Sequence, residues 1–274
     1  MFGKRLCLII AFGLLFAWTE ASWAQSDQYT QLPRSVIEER LRQFAGKDPE
    51  RETTLRKIFE EAGCRGNRLH EQPVTHADAP NVICTLPGRS DKVIVVGAHF
   101  DYVDNGEGVV DNWSGASLLP SLYQSLNSEM RQHTFVFIGF SDEEEGFIGS
   151  RYYAGQLTEE QVASIEAMID IDTLGLGPTE IWESNSNPEL VKLMNGIALS
   201  MKLPVTAMNV DGIGDSDGSS FKQRHVPTIT LHSVTLETLG ILHTSRDSFA
   251  AIKLDDYYSS YNLIAAYLAT LDKK

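Results

Sequence analysis

The sequence predicts an α/β fold: a single domain built on a mostly parallel, mixed sheet with helices on both faces. Three observations carry this reading. Residues 93–98, 134–140, 167–171 and 228–231 are short apolar runs rich in β-branched or aromatic residues, the pattern of strands buried on both sides. Stretches of helical periodicity alternate with them, which implies parallel strands joined by crossover helices. The chain has 274 residues, 42% of them hydrophobic and 22% charged, and no repeat or low-complexity linker marks a second domain.

Taken in order, the chain begins with Lys4 and Arg5, an apolar run over 6–18, and the small residues Ala21, Ser22 and Ala24 around Trp23. This predicts a signal peptide over 1–24, removed on export to the periplasm or the medium, with 25–274 as the working domain. The run is too short for a comfortable membrane span, and Cys7 precedes it, unlike a lipoprotein cysteine. Residues 33–44 and 50–62 space Val36, Ile37, Leu41, Leu55, Ile58 and Phe59 as helices, with Gly63 as a stop. Two short strand candidates follow, 68–72 and 81–86. Helical patterns then cover 114–127, 146–157, 189–201 and 255–271 between and after the buried strands.

Asp and Glu total 37 against 23 Lys and Arg, a net charge of −14, and no basic block exists. Such a chain is a poor nucleic-acid binder. Three cysteines are too few for a disulfide scaffold. Cys64 and Cys84 remain after signal removal, and antiparallel pairing of the two short strands would bring them together. The sequence leaves the bond open.

The chemistry collects at the ends of the apolar runs. His99 closes the 93–98 run, with Asp101 two residues on, where an extended chain points both side chains the same way. That arrangement steers a metal-binding imidazole, although H-x-D alone also fits a structural histidine. Asp111 stands in Gly108-Val109-Val110-Asp111-Asn112-Trp113-Ser114-Gly115 just before a helix, where it also fits a cap. The 134–140 run leads into Asp142-Glu143-Glu144-Glu145-Gly146-Phe147-Ile148-Gly149-Ser150, and four acids in a row there suit a site or a solvated turn. Asp170 and Asp172 end the 167–171 run, where burial is costly without a cation or partners. His243 lies in a polar loop, Leu242-His243-Thr244-Ser245-Arg246-Asp247, whereas His225 and His232 have no carboxylate close behind and read as structural. His99, Asp111, Glu144, Asp172 and His243 are ligand types that suit zinc, and strand ends of an open α/β sheet share one crevice.

The order H-x-D, V-D-N-x-S-G, E-E-x-G-x-x-G-S, I-D-x-D and H-T-x-x-D resembles the zinc-dependent aminopeptidases related to bacterial leucyl aminopeptidase and glutamate carboxypeptidase II, metallopeptidase family 28. The resemblance implies two zinc ions: His99 and Asp172 on one, Glu144 and His243 on the other, and Asp111 bridging. It implies Glu143 as general base and Asp101 as the partner of the His99 ring. It also implies hydrolysis of N-terminal residues from peptides with a free amino terminus. This sequence departs from the pattern in three places. Val110 replaces a common Asp, Asp170 a common Asn, and Ser216-Asp217-Gly218 a common Ser-Asp-His in a loop near the substrate.

Rival readings fit less well. Neither Ser114 nor Ser216 lies in a G-x-S-x-G elbow. An EF-hand over Asp215–Gly218 would need Ile213 and Arg224 as ligands. The serious alternative is glutaminyl cyclase, a zinc acyltransferase on the same fold; the Gly146-x-x-Gly149-Ser150 ending favours a peptidase. Surplus acids at the strand ends predict a negative crevice that attracts an ammonium group. Only Arg151, Arg224 and Arg246 lie near enough to reverse that, and Trp113 and Phe147 are candidates for an apolar side-chain pocket.

Overall fold

A computed structural model describes residues 29–209 and 214–274. The expected signal peptide lies outside the described residues. Chain order is α1 (Arg34–Leu41), α2 (Asp48–Glu61), β1 (Leu69–Gln72), β2 (Asn81–Leu86), β3 (Val93–His99), α3 (Ser114–Ala116), α4 (Leu118–Leu126) and β4 (Thr134–Phe140). It continues with α5 (Ile148–Gln156), α6 (Glu159–Ser164), β5 (Ile165–Ile171), β6 (Glu180–Ile181), α7 (Pro188–Met201), β7 (Thr206–Ala207), α8 (Gly218–Lys222), β8 (Thr228–His232) and α9 (Leu254–Leu271).

One eight-stranded sheet organises the molecule, in the order β1-β2-β4-β3-β5-β8-β6-β7. The four apolar runs form its parallel centre: β4, β3, β5 and β8. Antiparallel strands flank that centre, β2 against β4 and β6 against β8. The expected mixed, mostly parallel sheet is therefore present.

Alternate residues of each central strand feed two different layers, as the pleat requires. Ile94, Val96 and Ala98 of β3, with Phe135 and Phe137 of β4, face the larger core under α1, α2, α4, α7 and α9. Val95, Ile138, Phe140 and Met168 face the smaller core, which Phe221 of α8 and Tyr153 and Leu157 around α5 complete. Both faces of the strands are buried, so the runs read as continuously apolar rather than alternating.

Cys64 and Cys84 are joined in a disulfide, with Cα atoms 6.3 Å apart. Cys84 lies opposite Leu69 in the antiparallel β1–β2 pair. The bond fastens the end of α2 to the sheet.

The departures from the sequence expectations are local. The 114–127 helix is divided at Ser117, and the 146–157 helix starts only at Ile148. Strands β6 and β7 were not anticipated; each has two residues, too few to show a period.

The path of the chain makes the site. From β3 it crosses through α4 to β4 on one side, then returns through α5 and α6 to β5 on the other side of β3. Right-handed crossovers in opposite directions place their helices on opposite faces of the sheet. The loops leaving β3 and its neighbours therefore diverge and open a crevice at the carboxyl ends of the strands.

Candidate metal centre

His99 ends β3 and is 2% exposed. Asp111 lies in the 109–113 turn before α3, its backbone out of helical geometry. Glu143 and Glu144 follow β4, Asp172 follows β5, and His243 comes from the long loop after β8. These separate segments converge. Oδ1 of Asp111 is 3.3 Å from Nε2 of His99, and its Oδ2 is 3.1 Å from Nε2 of His243. Asp172 Oδ1 lies 3.6 Å from Nε2 of His99, and Glu144 Oε2 lies 3.0 Å from Nε2 of His243. Glu143 Oε2 stands farther off, 4.0 Å from Nε2 of His99. Donor atoms of His99, Glu143 and Asp172 fall within 4.8 Å of one another, and so do those of Asp111, Glu144 and His243.

Asp101 connects the two groups from behind. Its Oδ1 is 3.3 Å from Nδ1 of His99, while its Oδ2 accepts the N–H of Glu144 at 3.1 Å. Asn112, to which sequence reasoning assigned no role, is fully buried and acts as a splice. Its Nδ2 donates to the carbonyl of Ile171 at 2.9 Å, and its Oδ1 accepts from Gly115 N (2.9 Å) and Thr173 N (3.2 Å). The Asp111 turn is thereby fixed beside Asp172. The signal for Asn112 was its place in the V-D-N-x-S-G block.

Gly149 explains the far end of the acidic block. Its N–H donates to Ser141 O at 2.9 Å, and its carbonyl accepts from Asn81 Nδ2 at 3.0 Å. A Cβ there would run into Asn81 and the Ser141 backbone, so α5 starts directly against the strand end that carries the acids.

The Ser216-Asp217-Gly218 departure also resolves structurally. Gly218 is buried, and its N–H donates to Asp170 Oδ2 at 3.1 Å; a Cβ would stand only 3.0 Å from that oxygen and 2.9 Å from Thr228 Cγ2. The Asp170 carboxylate also accepts from Thr230 Oγ1 at 3.2 Å, and burial raises it to about 7. Asp217 is 2% exposed with neither carboxylate oxygen hydrogen-bonded, and burial raises it well above the usual carboxylate range.

Burial dominates the electrostatics. It lifts Glu143 well above the carboxylate range and Glu144 to about 8. His243 rises to about 9, mainly through its bond to Asp111. Burial works to raise Asp111 as well, but the imidazoles of His243 and His99 outweigh it and hold the group below its ordinary value. Oε1 of Glu144 and Oδ1 of Asp172 are buried without a hydrogen-bond partner. Unpartnered buried acids are costly, and divalent cations remove that cost. Imidazole nitrogens with carboxylate oxygens form a donor set that zinc accepts.

A cavity of about 440 Å³ opens over the cluster. Asp111, Glu143, Glu144, Asp172 and Asp215 supply its acids, and no Lys or Arg among the described residues lines it. Arg224 is spent on Ala154 O, Leu157 O and Glu159, and Arg246 on Gly240 O. Phe147, Trp182, Val234, Leu239 and Leu242 form apolar wall. Trp113 does not contribute: it is fully buried, and its Nε1 donates to Arg40 O at 3.2 Å. Trp182 takes the place the sequence reading offered to Trp113. His232 is both structural and a lining residue. Its Nδ1 accepts from Val234 N at 3.1 Å while Nε2 faces Met208 O at 3.0 Å, and burial lowers its pKa.

Residues 81–268 match the model of Peptidase family M28. The chain belongs to that family. Among its curated relatives, aminopeptidase Y of Saccharomyces cerevisiae is 32% identical over 148 residues, 50% of this chain and 27% of the relative. Leupeptin-inactivating enzyme 1 of Streptomyces exfoliatus is 28% identical over 156 residues, 56% of this chain and 35% of the relative. The chain thus spans about a third of the length of these curated relatives. The fold is that of the LapA aminopeptidase of Legionella pneumophila, with a TM-score of 0.77 at 20% identity over 88% of this chain and 72% of that one. It is also that of a glutaminyl cyclase from an Acidobacteriales bacterium, with a TM-score of 0.74 at 17% identity over 89% of this chain and 96% of that one.

Proposed function

We propose that the chain is an exported two-zinc aminopeptidase that releases N-terminal residues from peptides. One observation carries the reading: Asp111 directs one carboxylate oxygen toward His99 and the other toward His243. Placed so, Asp111 would serve as a ligand to both ions. His99 and Asp172 would hold one zinc and Glu144 and His243 the other. When bound, zinc polarises a carbonyl and brings the pKa of water toward neutrality.

The chain's own groups do the rest. Asp101 orients the His99 ring from behind. Glu143, on the cavity wall and farther from His99 than Asp111 or Asp172, takes the proton of the attacking water and hands it to the leaving amine. The acids of the wall, with no Lys or Arg among the described residues that line it, favour an ammonium group over a carboxylate. Phe147, Trp182 and Leu242 offer an apolar surface to the side chain of the first residue. Export is supported by the signal-like first 24 residues and by the Cys64–Cys84 disulfide, which suits an oxidising compartment. No helix of the described residues is long and apolar enough to cross a membrane.

A second reading, glutaminyl cyclisation, draws on the near-complete coverage of the cyclase chain. One assay separates the two. Purified protein with zinc is offered leucyl anilide, N-acetyl-leucyl anilide and a peptide beginning with Gln. Hydrolysis of the free anilide, with little of the acetylated one, is expected. Equal rates on both anilides would overturn the aminopeptidase reading. Loss of ammonia from the Gln peptide without hydrolysis would establish the cyclase.

A further inference from the structure

Arg51 belongs to none of the motifs above and lies outside the family-matched segment, in α2. It is 1% exposed. Burying a guanidinium costs several kcal/mol unless its donors are satisfied, and here they are satisfied in one place. Nε donates to Phe44 O at 3.1 Å. Nη1 donates to both Phe100 O and Gly108 O, each at 3.1 Å, and Nη2 donates to Glu107 O. The Tyr102 ring covers the group, 3.9 Å from Cζ to the centroid. All four acceptors are backbone carbonyls. The group stays charged at neutral pH even though burial lowers its pKa to about 10.

Three of those carbonyls belong to the loop between two ligand segments. Phe100 follows His99, and Gly108 precedes Asp111 by three residues. A single nitrogen, Nη1, therefore closes the loop at its neck. The loop in turn holds the His243 segment: Asn105 Nδ2 donates to His243 O at 3.1 Å, Glu107 N to Asp247 O at 2.7 Å, and Phe249 N to Glu107 Oε2 at 2.9 Å. We infer that Arg51 is a positioning residue for the metal centre, setting the spacing of His99, Asp111 and His243 through the carbonyls of residues 100–108. Lysine has one nitrogen and no planar fork, so it cannot serve all of these carbonyls at once.

This inference rests on the two-zinc reading, and its test separates the two. Full-length protein is stripped of metal and titrated with zinc in competition with a chromophoric chelator. Wild type is compared with Arg51→Lys, Tyr102→Leu and, as a control for a buried arginine elsewhere, Arg40→Lys. Arg40 is 8% exposed and bonds Ser121 and Gln124. Near-UV circular dichroism reports folding of each metal-free protein. Arg51→Lys is expected to fold and to bind zinc about 10–100-fold more weakly, the usual effect of losing an outer-shell support. Tyr102→Leu should lose less, and Arg40→Lys nothing. Folded Arg51→Lys with wild-type affinity overturns the inference. If Arg51→Lys does not fold, wild-type affinity in Tyr102→Leu overturns it instead. Wild-type protein that binds no zinc removes the proposed function and this inference together, whereas zinc-binding wild type with an unaffected variant removes the inference alone.

Discussion

The carboxylate of Asp247 grips the backbone of Asp111: its Oδ2 accepts the Asp111 N–H at 3.1 Å, and its Oδ1 accepts the Val110 N–H at 2.8 Å. Asp247 closes the H-T-x-x-D segment that begins at His243, so one side chain ties two of the candidate ligands together. Buried backbone N–H groups left without an acceptor cost about 1–3 kcal/mol each. Asp247→Ala is expected to weaken zinc binding about 10–100-fold. Asp247→Asn keeps one acceptor oxygen and should fall between Ala and wild type. Chelator competition on the folded variants gives the answer, and unchanged affinity in Asp247→Ala would dismiss the grip as incidental.

The unequal legibility of the site follows from the range of each interaction. The strands could be read because burial on both faces leaves uninterrupted apolar runs such as 93–98 and 134–140. The acids at their ends stood out because charge directly after a buried strand is unusual. Asn112, Arg51 and Asp247 act by bonding backbone groups far away in sequence, and a polar residue written in one dimension does not show which carbonyl or N–H it will meet. Trp182 was missed for a related reason. It follows the two-residue strand β6, whose position depends on long-range pairing with β8, including Glu180 opposite His232, and with β7.

Adjacent glutamates should separate by role. Glu143→Gln retains shape but accepts no proton, so turnover should fall about 10²–10⁴-fold. Its zinc content should remain that of wild type. Glu144→Gln removes a negative donor 3.0 Å from Nε2 of His243 and should lower zinc content or affinity first. Elemental analysis alongside kcat distinguishes them. Equal loss of metal in both variants would dissolve the assignment of base and ligand.

The Cys64–Cys84 bond closes a loop of 20 residues of sequence separation. Loops near this length contribute about 3 kcal/mol through the unfolded state. The Cys64→Ala/Cys84→Ala variant should therefore melt roughly 6–12 °C lower, at about 2–4 °C per kcal/mol for a domain of this size. Thiol titration of denatured, unreduced protein lacking residues 1–24 should find no free thiol. Two free thiols would show the bond unformed.

Asp48 provides a test of electrostatics beside the centre. It opens α2, is partly buried, and is raised to about 6, first by burial and then by the charge of Asp101. Its ordinary value is 3.8. Between these values the unfolded chain has released its proton while the folded chain retains it, so the folded state binds more protons. Stability contributed by this group is thus full below about pH 4, declines as pH rises toward 6, and stays reduced above that. Asp48→Asn does not titrate and escapes the decline. In chelator-treated protein, the melting temperature of Asp48→Asn minus that of wild type should increase between pH 4 and pH 7. Solvent screening limits the change to about 1 kcal/mol, a few degrees at most. A difference that stays constant across that range would mean that Asp48 titrates as an ordinary exposed carboxylate, and one that shrinks as pH rises would mean that folding lowers its pKa; either result overturns the upward shift.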